Sequence, residues 1–177
     1  GRMSKKIIIL MITLTIIFTA FSNVSAAELQ SVNYLISGDS MEIDTLQLEP
    51  KFRLNGGHQG KLNLAFDGDG FHIGADVALN MIAQDEFRMD LHLMVTDEVN
   101  NQSFGKAVGI SATTLNSDLN FFWQTYYFVD DDLTDHSYYR GGARYNIGPR
   151  SDFELSLGNQ YWDLSNRVIN FGINYKM

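Results

Sequence analysis

From Lys61 onwards the sequence alternates between apolar and polar residues with a period of two. One segment carries apolar residues at every second position from Phe71 to Met81, with polar or small residues between them. The segment from Phe87 to Val95 repeats the pattern after a polar turn. Because successive side chains of a β-strand point to opposite faces, this pattern is typical of strands with two different faces. The sequence therefore predicts an all-β, antiparallel structure built from hairpins.

Weaker alternation extends the same scheme over most of the chain. We predict ten strands, at about 29–37, 43–54, 61–67, 71–82, 87–96, 104–115, 119–129, 137–147, 152–158 and 167–177. Pro50 lies inside the second and removes one ladder donor, so we expect that strand to be broken or bulged. An even strand count is typical of bacterial outer-membrane barrels, and eight is the main alternative to ten.

The N-terminal segment has the organisation of a secretory signal peptide. A basic start with Arg2, Lys5 and Lys6 precedes an apolar run of about 15 residues, which is shorter than the ~20 needed for a membrane-spanning helix. Small residues at Val24 and Ala26 fit a cleavage after Ala26. We therefore expect residues 1–26 to be a signal peptide and residues 27–177 to form one exported domain.

The charge and composition of residues 27–177 exclude several classes of function. These 151 residues carry 10 basic and 21 acidic side chains, a net charge of about −11, which argues against a nucleic-acid partner. The sequence has no cysteine, which excludes disulfides and thiol chemistry. Residues 27–177 also lack a long apolar segment, so they could enter a membrane only as a closed barrel.

The polar face of the predicted strands distinguishes a membrane barrel from a soluble barrel or sandwich. A face exposed to water is usually rich in lysine and glutamate, whereas this one is largely small or uncharged: Asn63, Gly74, Ala78, Asn80, Gly105, Gly109, Ser111, Gly142, Asn146, Asn170, Gly172 and Asn174. Its charges have mixed signs, as internal ion pairs require: Lys61, Asp76, Arg88, Asp90, Arg140, Arg144 and Glu154. We therefore predict an up-and-down transmembrane β-barrel with a polar lumen, and a soluble periplasmic β-protein is the alternative fold.

The predicted connections are of two kinds. With both chain ends in the periplasm, the outer connections are 38–42, 67–70, 97–103, 130–136 and 159–166, and from the third onwards they exceed the inner ones at 55–60, 83–86, 116–118 and 148–151. The outer set has no lysine or arginine, and its acidic residues are Asp39, Glu42, Asp67, Asp69, Asp97, Glu98, Asp130, Asp131, Asp132, Asp135 and Asp163.

Aromatic residues cluster at strand ends beside these outer connections. They are Tyr126, Tyr127, Phe128, Tyr138, Tyr139, Tyr161 and Trp162. We predict that they form the interfacial girdle of a membrane barrel, and ordinary packing in a core is the alternative.

The last strand, Arg167 to Met177, alternates to the final residue and resembles the C-terminal assembly signal of outer-membrane barrels. Tyr175 has the usual third-from-last place, but Met177 stands where that pattern prefers an aromatic. Within residues 104–177, four segments resemble the YfaZ-type outer-membrane family: 107–110, Tyr126-Tyr127-Phe128, 142–145, and 153–158 leading to Tyr161. The resemblance implies an outer-membrane barrel without known catalytic residues. The partners expected from these features are outer-membrane lipids and the assembly machinery.

Candidate catalytic groups are few. His72 and His92 lie on polar faces near Asp76 and Asp90, where a His–Asp pair could act as a general base. Without a placed nucleophile, a hydrogen-bond network in the lumen is the preferred interpretation. His136-Ser137 does not fit the His-x-Ser of lipid A deacylases, because adjacent residues face opposite ways. His58 is expected to be a solvated loop residue. We predict no catalytic, cofactor-binding or metal-binding residue.

The acidic loop Asp130-Asp131-Asp132 with Asp135 offers oxygen ligands, although its spacing is not that of an EF-hand. A solvated loop is expected, and sharing of Ca²⁺ or Mg²⁺ with lipid phosphates is a hypothesis. The favoured function is a narrow porin-like channel or a structural barrel in the outer membrane, and not an enzyme. A surface binding or adhesion barrel and a lipid-modifying enzyme are the alternatives.

Overall fold

The computed structural model describes residues 28–39, 42–68, 70–115 and 118–177. The predicted signal peptide lies outside these residues. The described chain is almost entirely β-strand, apart from turns and a three-residue 3-10 helix at Asn55–Gly57. None of its helices has the length and apolarity required to span a bilayer.

Ten antiparallel strands form a closed barrel in which each strand pairs with its neighbours in sequence and the first pairs with the last. Ser31 of the first strand lies opposite Lys176 of the last, and Gly38 lies opposite Ile169. The prediction of ten strands is confirmed. They are β1 (Glu28–Asp39), β2 (Glu42–Arg53), β3 (Gln59–Asp67), β4 (Gly70–Ala83), β5 (Phe87–Val99), β6 (Gln102–Thr114), β7 (Leu119–Phe128), β8 (Ser137–Gly148), β9 (Ser151–Asn159) and β10 (Arg167–Lys176).

The predicted connection at 97–103 is wrong, because strands occupy most of it. Strand β5 continues to Val99 and β6 starts at Gln102, which leaves a two-residue turn at Asn100 and Asn101. Both asparagines have positive φ, 43° and 64°, as a tight hairpin turn of the type I′ class requires. Asparagine tolerates this conformation better than most residues, and the Asn-Asn pair was the sequence signal for it.

Pro50 does not break β2, contrary to the expectation. The strand runs without interruption, and Pro50 lies opposite Val32 of β1. On the other side, the ladder to β3 resumes in the same register, from Leu48 opposite Leu64 to Lys51 opposite Lys61. The proline therefore costs pairing at two positions and leaves the strand intact.

The apolar face of the barrel points outward and the polar face points inward. Leu93, Leu157 and Phe171 are 50%, 61% and 45% exposed on the outside. By contrast, Asn63, Asp90 and Glu154 are buried. This is the reverse of a soluble barrel and matches the lipid-facing band of a transmembrane one. The alternative of a soluble β-protein is therefore overturned.

The two ends of the barrel differ. At the loop end lie the connections β1–β2, β3–β4, β5–β6, β7–β8 and β9–β10. At the terminal end lie Glu28, Lys176 and the other four connections. The longer connections, 129–136 and 160–166, are both at the loop end. The interior between the two ends contains the ion pairs, the hydrogen-bond cluster and the cavity described below.

Candidate functional site

An ion-pair network crosses the middle of the barrel. Arg140 on β8 hydrogen-bonds through both terminal nitrogens to Glu49 on β2, which is nearly opposite in the ring of strands. It also lies 3.2 Å from Glu154, whose other oxygen accepts a 2.9 Å bond from Arg144. Asn33 donates a further bond to Glu154. The predicted internal ion pairs are therefore confirmed for Arg144 and Glu154.

Four more of the charges predicted for the interior form two ion pairs. The Lys61 ammonium lies 3.8 Å from Asp76, and Arg88 contacts Asp90 at 2.7 Å. These charges are taken out of water inside the barrel, where an unpaired charge would be costly. Lys61 and Asp76 pair across the adjacent strands β3 and β4, whereas Arg88 and Asp90 pair within β5.

A second network joins β4, β5, β6 and β7 at about the same depth. His92 Nδ1 lies 2.8 Å from Asp76, and His92 Nε2 lies 2.7 Å from the Ser111 hydroxyl. The Tyr126 hydroxyl donates to the same Asp76 oxygen at 2.8 Å. The order Ser111–His92–Asp76 has the hydrogen-bond pattern of a nucleophile, a base and an orienting acid. The sequence identified the His–Asp pair but not Ser111, which the strand register brings beside His92.

An acyl-transfer site also needs donors for an oxyanion, and the backbone N–H groups beside Ser111 do not supply them. The Gln124 side-chain nitrogen, which has no hydrogen-bond partner, is the donor that the strand register places next to Ser111. Ser111 pairs with Asp90 on one side and with Gln124 on the other, in the middle of two continuous ladders. Backbone N–H groups of an inner strand are used in those ladders and do not point into the lumen. Ser111, His92, Asp76 and Tyr126 thus form a hydrogen-bond cluster inside the barrel.

The loop end is filled by an aromatic plug, which we define as Tyr126, Phe128, Tyr138, Tyr161, Trp162 and Leu164. All six are buried, with Tyr126 and Tyr161 each 1% exposed. Rings of the plug contact one another: Tyr138 lies 5.4 Å from Tyr126 and 6.1 Å from Tyr161, between centroids. The lumen is thus occupied by packed side chains at this end.

The predicted aromatic girdle is wrong for five of its seven residues, because these five belong to the plug. Only Tyr127 and Tyr139 are outside it, and Tyr127 is 53% exposed on the outer surface. Tyr126 and Phe128 lie on the inward face of β7, a strand with aromatic residues on both faces. Tyr161 and Trp162 lie in a connection that folds into the barrel, which alternation cannot reveal.

Hydrogen bonds hold the 160–166 connection inside the mouth. Asn100 donates its backbone N–H to the Trp162 carbonyl and accepts the Leu164 N–H on its side chain, both within 2.9 Å. Gln160 donates to Thr45 of β2 at 3.0 Å. Burial raises the pKa of the Tyr161 hydroxyl well above its usual value, so this group is neutral in the plug.

The other histidines have structural contacts. The His72 ring stacks on Trp162 at 4.6 Å and contacts Asp67 at 3.0 Å, which ties the plug to β4. His58 is not simply solvated, because its Nδ1 accepts the backbone N–H of Asn80 on β4. His136 hydrogen-bonds to the Phe128 carbonyl and stacks on Tyr127.

A cavity of about 40 Å³ lies between the central ion pairs and the terminal end. This is room for a few water molecules. Its walls are strongly basic and polar, and they consist of Ser31, Asn33, Glu49, Lys51, Lys61, Gln124, Arg140, Arg144 and Asn174. Alternation predicts Lys61, Arg140 and Arg144 in the lumen but does not identify Glu49 and Lys51, because Pro50 between them obscures the facing of β2.

The acidic loop does not assemble into a metal site. Across 28–39, 42–68, 70–115 and 118–177, no three His, Asp or Glu side chains are grouped so that they could hold a metal ion. Asp130 instead accepts the Lys106 N–H at 2.9 Å. The hypothesis that the loop shares Ca²⁺ or Mg²⁺ with lipid phosphates therefore rests only on the negative charge of the loop.

No family model and no curated protein matches the sequence, so the resemblance to the YfaZ-type family remains a prediction. Two solved structures are similar. A structure of the NanC porin aligns with 84% of this chain and 100% of its own, at 12% identity and a TM-score of 0.50. A de novo designed transmembrane β-barrel aligns with 85% and 98%, at 13% identity and a TM-score of 0.38. At these identities the porin likeness concerns the fold, and the chain is accordingly a closed antiparallel barrel of the transmembrane type.

Proposed function

We propose that this protein is a closed structural barrel of the bacterial outer membrane, and not an open pore. The observation that carries the proposal is two barriers in series. The aromatic plug fills the loop end, and the contacts of Arg140 with Glu49 and Glu154 cross the lumen below it. A solute would have to displace both in order to pass.

The size of the first barrier supports this choice over a narrow channel. Tyr161, Trp162 and Leu164 would have to leave the mouth, and burying a large apolar side chain contributes roughly 1.5–3 kcal/mol. Exposing all three costs roughly 5–9 kcal/mol, so by tenfold per 1.4 kcal/mol fewer than about one molecule in 10³ would be open. Conduction would then be rare even before the central ion pairs were broken.

Insertion in the outer membrane after export is part of the proposal. The apolar outer surface supports a lipid environment, and the sequence of residues 1–26 supports export. Outer-membrane lipids and the assembly machinery are then the expected partners, with β10 as the recognised strand. Pairing of β10 with β1 to close the barrel is consistent with that role.

The proposal is tested by planar-bilayer recording with purified protein whose folding is shown by heat-modifiable gel mobility. The wild type is expected to be silent. A variant with Tyr161→Ser and Trp162→Ser loosens the plug but keeps the ion pairs, and it is also expected to be nearly silent. The matched control is Tyr127→Ser, which removes an outward-facing aromatic.

Steady unit conductance of the wild type would overturn the closed barrel. Conductance in the plug variant alone would show that the plug is a gate, and the protein would then be a gated narrow channel. Loss of surface adhesion or of a bound partner on removal of Asp130–Asp135 would favour the surface-binding alternative.

A further inference from the structure

The basic cavity at the terminal half of the barrel is lined by more lysine and arginine residues than there are carboxylates to pair with them. Four of its lining residues are lysine or arginine, and carboxylates contact three of them: Lys61 lies near Asp76, and Arg140 and Arg144 contact Glu154. Lys51 is the fourth. Within the described part of the chain, no carboxylate lies within 4.0 Å of its ammonium, because neighbouring Glu49 is bonded to Arg140.

The strand register adds to this excess of charge. Lys51 of β2 and Lys61 of β3 are directly opposite each other, and both line the cavity. Like charges directly opposite on adjacent strands repel each other. Inside a barrel, where the effective dielectric constant is lower than in water, this repulsion is larger. A negative group between the two ammonium groups would remove it.

Two buried hydrogen-bond donors at the same cavity also have no acceptor. Arg140 uses its terminal nitrogens on glutamates, while its Nε has no hydrogen-bond partner. The Gln124 side-chain nitrogen likewise has none. These residues are 3% and 7% exposed, and both line the cavity. One acceptor there, Asn33 Oδ1, is also unpartnered, and a lysine ammonium can serve it.

We propose that this cavity is a binding site for a small oxyanion, of the class of inorganic phosphate or a short carboxylate. Lys51 and Lys61 supply the charge, and Arg140 Nε and the Gln124 amide supply directed hydrogen bonds. Donors of this kind, a planar guanidinium beside ammonium groups, suit oxyanions. The site does not depend on conduction through the barrel, since the anion needs to reach only the terminal half.

The test is thermal unfolding and titration calorimetry of the full barrel in detergent, with inorganic phosphate as the probe. The reference buffer contains only bulky anions. Wild type is expected to bind phosphate and to gain stability as phosphate is added. Lys51→Gln is expected to weaken the affinity at least tenfold and to abolish most of the stabilisation. Lys106→Gln, on a residue 58% exposed outside the lumen, is the matched control and is expected to respond like wild type.

A purely structural lysine would behave differently. In the phosphate-free buffer, Lys51→Gln is expected to unfold at the same temperature as wild type or higher, because it removes the repulsion from Lys61. An unfolding temperature below that of wild type in this buffer would overturn the proposal. So would an equal response of wild type and Lys51→Gln to phosphate, or no response of wild type. A response to chloride equal to that for phosphate would overturn the oxyanion class.

Discussion

The two halves of the barrel interior are stabilised by different interactions: ring packing in one and ion pairs in the other. The loop half is packed with aromatic rings, such as Tyr138 against Tyr126 and Tyr161. The terminal half is lined by charges, which pair across strands and surround a small cavity. Packed rings need no partner of defined charge and leave no space. Ion pairs form only in particular geometries, so their side chains do not fill the space completely. Where basic groups outnumber carboxylates, the charge is also left unbalanced. A lumen of uniform polarity could not contain both the aromatic plug and the basic cavity.

The largest expected effect lies at the boundary between the two halves. Replacing Glu154 with alanine leaves Arg144 without its carboxylate and takes one of two from Arg140, both inside the barrel. Removing one partner of a buried ion pair costs about 3–5 kcal/mol of unfolding free energy. Urea unfolding from lipid vesicles measures the loss.

Glu28→Ala is the control for this prediction, because Glu28 pairs with Arg53 where both side chains are mostly exposed, 73% and 62%. Exposed pairs contribute about 0–1 kcal/mol. Equal effects of the two substitutions would show that the interior charges are hydrated much as surface charges are, and the contrast between the two halves would fail.

The plug half is expected to respond to added volume. A methyl group on Gly105 would approach the Phe128 ring and the Val99 side chain to 2.7 and 2.8 Å. Overpacking of this kind costs about 1–3 kcal/mol, so Gly105→Ala should unfold at lower urea. Gly68→Ala, where nothing lies within 4 Å, should be nearly neutral. A neutral Gly105→Ala would mean that the plug is loosely packed.

A smaller effect is expected at Ser111. Its loss removes one hydrogen bond to His92, worth about 0.5–1.5 kcal/mol, and should leave the lipid profile of the cell unchanged. Wild-type protein should not be labelled by a fluorophosphonate, which reacts with activated serines. Labelling that disappears in Ser111→Ala would instead identify a hydrolase and refute the non-enzymatic interpretation.

The smallest effect is expected for removal of divalent cations. Because the carboxylates of the described residues form no three-ligand group, EDTA should leave the unfolding midpoint unchanged. The measurement is made in lipid A-containing vesicles and in detergent. A fall in the midpoint with EDTA in vesicles only would support cation bridges between the acidic loop and lipid phosphates.

The sequence was sufficient for the strands and for most of their facing. Alternation from Phe71 to Val95 identified the polar face, and that face contains Asp76, Asp90 and His92 inside the barrel. Period-two patterns work here because lipid and lumen impose opposite demands on alternate residues. The same logic failed near Pro50, where one atypical residue concealed that Glu49 and Lys51 flank it on the inward face.

The plug could not be predicted from periodicity. Trp162 lies in a connection, and a connection has no face until its path is known. Its signal in the sequence, aromatic residues beside an acidic loop end, is the same for an interfacial girdle and for an inward fold. Ser111 was missed for a related reason: its contact with His92 depends on the register of β5 against β6, which alternation alone does not give.

The pairing of β1 with β10 has a consequence for biogenesis. Ile36 meets Phe171 across that seam, so the ring has no complete closure until the end of the chain has been made. Contacts between residues so distant in sequence form slowly, and unpaired edges favour aggregation meanwhile. Such a chain has to be kept from premature association until β10 can pair with β1.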